Sequence, residues 1–286
     1  MARAVIELGM KVGTDMKRKA FWKLAASSLI FAATMVGCSG AALQGRAGLA
    51  QKAQKSGRTY AAAAEKALAA RDGVRAVASA EAAAASDSEN AGYRALLGRA
   101  YLLSGRFQSA ETAFQDAMTL GNRDARTIVN LALVKTALGN GVQAHDLLTA
   151  HMDVLPAADY GLAIAMTGDT AEAIRVLGQA IHDPAAGVRE RQNLAYSYAL
   201  AGRWTEARQI AQMDMAPLAA AQRVMTWASM AQPGGESARV IAMIGVNPVA
   251  NDSGVPAALA LNTNTAAAIA YASADAPVET APAAEE

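Results

Sequence analysis

Several residue types that would bring chemistry or a conventional core are scarce in this chain of 286 residues. Its single cysteine, Cys38, excludes any disulfide within the chain. Aromatic residues make up 5%, too few bulky anchors for an α/β core, while hydrophobic residues reach 53%, much of it alanine. That composition suits close-packed helix pairs. The net formal charge of +1 excludes the strong basic field of a nucleic-acid binder. Even this excess is local, because residues 1–37 hold six Lys/Arg against two Asp/Glu and leave 20 against 23 elsewhere. Of the three histidines, His145 and His151 stand six apart, not on one helix face as metal ligands would, and neither they nor His182 has a matching Cys or carboxylate. Phosphate loops, nucleophile elbows and dinucleotide fingerprints are missing from the sequence. Pairs such as Glu111 and Asp116 read as solvated helix faces. The expectation is a protein that is not an enzyme, holds no metal or cofactor, and takes neither nucleic acid nor a small-molecule substrate.

The N-terminus reads as a leader. Met16-Lys17-Arg18-Lys19 and Lys23 form a basic region, and Leu24 to Gly37 an uncharged apolar one too short for a comfortable membrane span. Residues 1–37 are read as a signal peptide, with translation expected to start at Met16. The run Met35-Val36-Gly37-Cys38-Ser39 resembles a bacterial lipobox. That resemblance implies cleavage before Cys38 and its acylation with palmitate-type chains, two or three of which anchor a protein stably. Ser39 in place of Asp implies the outer membrane, with the chain on its periplasmic face. Residues 38–56 read as a weakly patterned tether.

A repeat follows. Gly105, Gly139, Gly168 and Gly202 are separated by 34, 29 and 34 residues, and a small residue lies five places after each (Ala110, Ala144, Ala173, Ala207). A unit counted from Ala91 places Leu97 and Gly98 seventh and eighth, Tyr101 eleventh, Gly105 fifteenth, Ala110 twentieth, Phe114 twenty-fourth and Ala117 twenty-seventh. Units from Ala125, Val154 and Val188 repeat the pattern, and Gly57 opens a degenerate one. Lys135 and His151 depart from it at places 11 and 27. Pro156 falls in the first turn of the Val154 unit and predicts a shortened helix.

This pattern resembles the tetratricopeptide repeat. The resemblance implies an all-α fold: a right-handed α-solenoid of about five helix–turn–helix units over 57–231, closed by a capping helix near Pro217–Ala231. Residues 232–286, marked by Pro248, Pro256, Pro277 and Pro282, read as a mostly disordered Pro/Ala-rich tail, in which 239–244 form a short apolar helix or turn and Leu259 and Leu261 could dock.

In that family the first helix of each unit lines a concave groove, which places Arg99, Arg126, Asn130, Leu133, Arg189, Gln192, Asn193 and Tyr196 there. Asn130 and Asn193 share place 6, where an asparagine amide can clamp a peptide backbone. Three arginines favour an acidic segment. Two alternatives stand beside this: the polar residues merely start helices and solubilise the groove, or the groove receives the chain's own tail. The whole layout is similar to tetratricopeptide lipoproteins of tight-adherence (Flp) pilus assembly. It implies a protein-binding scaffold for the pilus secretin or other pilus components. Barrel assembly, polysaccharide export and regulation of a cell-wall enzyme are the alternative settings.

Overall fold

The computed structural model describes residues 40–261, Pro233 excepted. Residues 1–39, which include Cys38 and the expected leader, and residues 262–286 lie outside the described residues. Twelve α-helices and one 3₁₀ turn follow one another, with no strand among the described residues. They are α1 (Gly40–Ala69), α2 (Gly73–Ser86), α3 (Ala91–Leu103), α4 (Phe107–Thr119), α5 (Ala125–Ala137), α6 (Gly141–Ala150), α7 (Ala157–Met166), α8 (Thr170–Ala180), α9 (Val188–Leu200), α10 (Trp204–Ala211), α11 (Pro217–Ala228) and α12 (Glu236–Ile244), with the 3₁₀ turn at Ala257–Leu259.

The helices form five consecutive pairs, α1/α2 to α9/α10, and α11 ends the stack against α9 and α10. The first helices of the pairs also touch one another in sequence, α1 to α3, α5, α7, α9 and α11, and so build one continuous face. The fold is an α-solenoid of tetratricopeptide-type units. The unit starts read at Ala91, Ala125 and Val188 are the first residues of α3, α5 and α9. Pro156 stands just before α7, which has 10 residues where α3, α5 and α9 have 13.

Two local devices repeat. At the end of four of the five first helices a glycine adopts positive φ (Gly105 74°, Gly139 85°, Gly168 106°, Gly202 74°), and after α1 Arg71 does so at 55°. After α3, the Gly105 N–H donates to Leu102 C=O at 3.1 Å and the Arg106 N–H to Tyr101 C=O at 2.9 Å, a Schellman closure that satisfies two orphan carbonyls. The same pair of bonds ends α5 and α9. The second device is close crossing within the pair. A Cβ on Gly98 would stand 2.6 Å from the Phe114 ring, and one on Gly161 2.4 Å from Leu177 Cγ. Places 8 and 24 therefore touch without any methyl group between them.

The departures from the pattern also have physical reasons. Lys135 replaces the place-11 tyrosine, is buried, and donates to Glu111 at 2.6 Å and Gln143 at 3.0 Å. Tyr101, one unit earlier, donates to Glu81 at 2.7 Å. Both side chains thus reach a carboxylate on the preceding second helix. Arg106 and Arg203 stack over Tyr101 and Tyr198 at 4.3 and 4.6 Å. Asn140 holds the corresponding place beside Lys135, where an arginine would set two cations together. His151 falls just after α6, outside any helical contact surface.

Two boundaries need correction. The span read as a tether is helical from Gly40 onward and continues unbroken through Gly57. Its Ala, Leu, Gln and Lys residues favour helix, and Gly57 acts as a contact rather than a breaker, since a Cβ there would meet Ser86 Oγ at 2.3 Å. The region from 232 to 261, read as part of a mostly disordered tail, contains α12 and a docked segment. Val240, Met243, Ile244 and Leu259 are buried, so Pro248 and Pro256 do not prevent docking.

Candidate functional site

A pocket of about 490 Å³ opens on the face built by the first helices. Its lining follows the repeat register. Place 2 supplies Arg126, place 5 Ala95 and Val129, place 6 Leu96, Asn130 and Asp159, and place 9 Glu65, Arg99, Leu133 and Leu162. These places face one way because each recurs about one or two turns apart on its helix, and stacking by 34 residues sets equivalent places side by side. Met243 of α12 forms part of the wall.

The charges sort into satisfied and unsatisfied groups. Arg99 donates to both Glu65 oxygens, at 2.6 and 3.0 Å, joining place 9 of neighbouring units in a bidentate pair. Arg126 has no ion pair within 4.0 Å among the described residues. Burial and the nearby Arg99 both lower its pKa, against smaller opposing effects of Glu65 and Asp124. On the adjacent helix, burial pushes the Asp159 carboxyl up, opposed chiefly by Arg189. Arg189 reaches Asp159 Oδ1 at 3.4 Å without hydrogen-bond alignment, and that oxygen is buried with no donor among the described residues. The pocket therefore sets a cation without an ion pair on the helix next to a carboxylate whose buried oxygen has only the unaligned Arg189 contact. The half-buried Asn130 amide stands in the same lining, above an apolar floor of Leu96, Leu133 and Leu162.

The eight expected groove residues divide into two groups. Arg99, Arg126, Asn130 and Leu133 line the pocket. The four on α9 do not, and the fold itself uses them. Asn193 is 8% exposed and donates to Ala158 C=O at 2.9 Å, tying place 6 of one unit to place 5 of the unit before. It is a staple between repeats, not a free clamp for a ligand. Gln192 donates to Asp214 at 3.3 Å, and the same carboxylate takes Arg191. Tyr196 packs its ring 5.4 Å from that of Trp227, and burial pushes its hydroxyl up to about 12, against a lowering effect of Arg239. Arg189 pairs with Asp159. The stack's end on α11 covers this part of the face. Of the residues missed, Asp159 and Glu65 sit at places 6 and 9 of their units, so the register itself was the signal. Met243 comes from outside the repeats and has no such signal.

Among the described residues, no three His, Cys, Asp or Glu side chains stand together in a metal-binding arrangement, and no helix is long and apolar enough to cross a membrane.

No family model and no curated protein matches this chain. Among solved structures it is similar to that of the MamA protein, with 17% identity and a TM-score of 0.45 over 60% of this chain and 95% of the other. It is also similar to YrrB, described as a TPR protein with an unusual peptide-binding site, with 18% identity and a TM-score of 0.43 over 57% of this chain and 90% of the other.

Proposed function

We propose that this protein is a non-catalytic scaffold that binds a segment of a partner protein across the face of its first helices. The observation that carries this reading is the pocket's combination of polar groups on neighbouring helices with an apolar floor. Arg126 has no ion pair among the described residues, and one Asp159 oxygen is buried with no hydrogen-bond donor beyond the loose Arg189 contact. An extended peptide presents C=O and N–H groups in alternation along its backbone, and Asn130 can serve either. An acidic group on the peptide would find its cation in Arg126.

The setting we propose is the periplasmic face of the outer membrane, with a lipid anchor on Cys38 and tight-adherence pilus components, the secretin among them, as partners. It rests on the lipobox-like run and the chain's layout. Palmitate labelling that is lost in Cys38→Ser tests the anchor.

The test of binding is an in-cell photo-crosslink from Leu133, with the captured proteins read by mass spectrometry. Capture of a pilus component that falls in Arg126→Ala and Asn130→Ala supports the whole reading. Barrel-assembly, export or wall-enzyme proteins captured with the same dependence would keep the scaffold and change its setting. Capture indifferent to both substitutions would overturn the site. Asn193 is unsuitable for this test because its amide holds two repeats together.

A further inference from the structure

The helix α12 lies on the same face as the pocket, against α5 and α7. Val240, Met243 and Ile244 join one apolar cluster with Leu133, Leu162, Met166 and Tyr196. The chain then crosses the turn between α3 and α4, where Val249 N–H donates to Gly105 C=O at 2.9 Å. Asp252 accepts from the Ser109 N–H at 2.8 Å, from the Ser109 hydroxyl and from Arg106 at 3.3 Å. Arg106 also donates to Gly254 C=O at 2.7 Å, and the buried Arg94 donates to Leu259 C=O beside α2.

Three features bear on how this segment is held. α12 has 9 residues, fewer than an isolated helix needs to persist in water, so its seat maintains its helicity. It follows Gly234, at φ 70°, and Gly235, a glycine pair bridged by Arg239 of α12, which donates to Met230 and Gln232 C=O at 3.1 and 3.2 Å. Beyond α12, Asp252 accepts three of the six bonds that hold the segment and provides the cap that α4 lacks from its own Arg106.

We propose that α12 is the resident occupant of a helix-binding surface, latched by Asp252. When the latch opens, this surface takes an amphipathic helix from a partner protein, with apolar residues spaced as Val240, Met243 and Ile244 are. The chain's own segment, seated on the surface, identifies that chemistry. The surface is the part of the face under α12, and it does not depend on Arg126 or Asn130.

The test uses the full chain and a fluorescent peptide of residues 232–249, read by anisotropy together with hydrogen exchange of the α12 amides. Asp252→Ala is expected to bind the peptide roughly tenfold or more tightly than the unsubstituted protein, because it removes charge-assisted bonds from the closed state alone. Its α12 amides exchange faster, those of α5 and α7 remain protected, and a peptide carrying Met243→Asp and Ile244→Asp does not bind. Equal affinity for the two proteins, or α12 amides as protected as those of α5 in both, would overturn the proposal. If Asp252→Ala loses its helical circular dichroism, Ile244→Asp in the full chain opens the seat with the latch intact and reads the same outcomes. Arg126→Ala leaves these results unchanged, so failure here and failure of the pocket reading are told apart.

Discussion

The closeness of the helix crossings can be tested where glycine chemistry and packing pull in opposite directions. Gly161 lies within α7, where alanine ordinarily stabilises a helix by about 1 kcal/mol. Here its Cβ would stand 2.4 Å from Leu177 Cγ and 2.8 Å from both of that residue's terminal methyl carbons. Leu177 is fully buried, so the whole branched group must shift within a packed core, at about 1–3 kcal/mol. Gly161→Ala is therefore expected to destabilise by up to about 2 kcal/mol despite the propensity gain. Gly178 on α8 supplies the contrast. A Cβ there meets nothing within 4 Å, so Gly178→Ala is expected to stabilise by about 0.5 kcal/mol. Leu177→Ala alone removes apolar volume at about 2–5 kcal/mol, and combined with Gly161→Ala it should cost at least about 1 kcal/mol less than the two added. Urea denaturation followed by circular dichroism at 222 nm gives all four values. A Gly161→Ala protein as stable as Gly178→Ala, or strictly additive losses, would refute the reasoning.

Further outcomes follow from the buried polar groups. Lys135→Tyr restores the place-11 hydroxyl toward Glu111 and should stay within about 1 kcal/mol of the unsubstituted protein, whereas Lys135→Ala leaves Glu111 without its partner and should lose about 1–3 kcal/mol in the same denaturation assay. Burial raises the Asp252 carboxyl, but bonds from the Ser109 hydroxyl and N–H, Arg106 and the Gly254 N–H outweigh that and hold it below the ordinary range. A carboxyl lowered in the folded state stabilises it above the unfolded value of about 4 and loses that contribution as pH falls through the folded value. The difference in melting temperature between the unsubstituted protein and Asp252→Asn should accordingly be constant above about pH 5 and shrink in the acid range, as calorimetry across pH would show. Arg126→Gln should leave stability unchanged or raised, because it removes a half-buried cation that has no ion pair among the described residues, while weakening capture of an acidic peptide about tenfold by anisotropy. Asn193→Ala should show the reverse, a loss of about 1–2 kcal/mol on denaturation with the pocket intact.

Half of the expected groove was legible from the register. Arg126 and Asn130 occupy places 2 and 6 and line the pocket. Arg189 and Asn193, at the same places two units later, do not. The register specifies which way a side chain faces, but not what stands opposite it. Asn130 looks into open space between α3, α5 and α7. Asn193 meets the Ala158 carbonyl, and Tyr196 meets Trp227, because the solenoid ends there on α11. The helix in the tether and the extent of docking in the tail were missed for a related reason, although the short helix at 239–244 and the docking of Leu259 were anticipated. Composition alone does not distinguish a segment that is solvated from one that docks, and Gly57 and Leu259 matter through what they touch.

The sequence by itself determined the pairing of helices, their starts at Ala91, Ala125 and Val188, the close crossings at Gly98 and Gly161 and the turns at Gly105 and Gly202. All of these are contacts within a unit or between neighbouring units, so they recur with the period and can be read from it. Only the tertiary structure decided that α12 covers part of the face and that Asp252 caps α4. Those contacts join Ser237 to Ala137, Asp252 to Ser109 and Leu259 to Arg94, across 100, 143 and 165 residues. A contact made once, over such a distance, leaves no period in the chain.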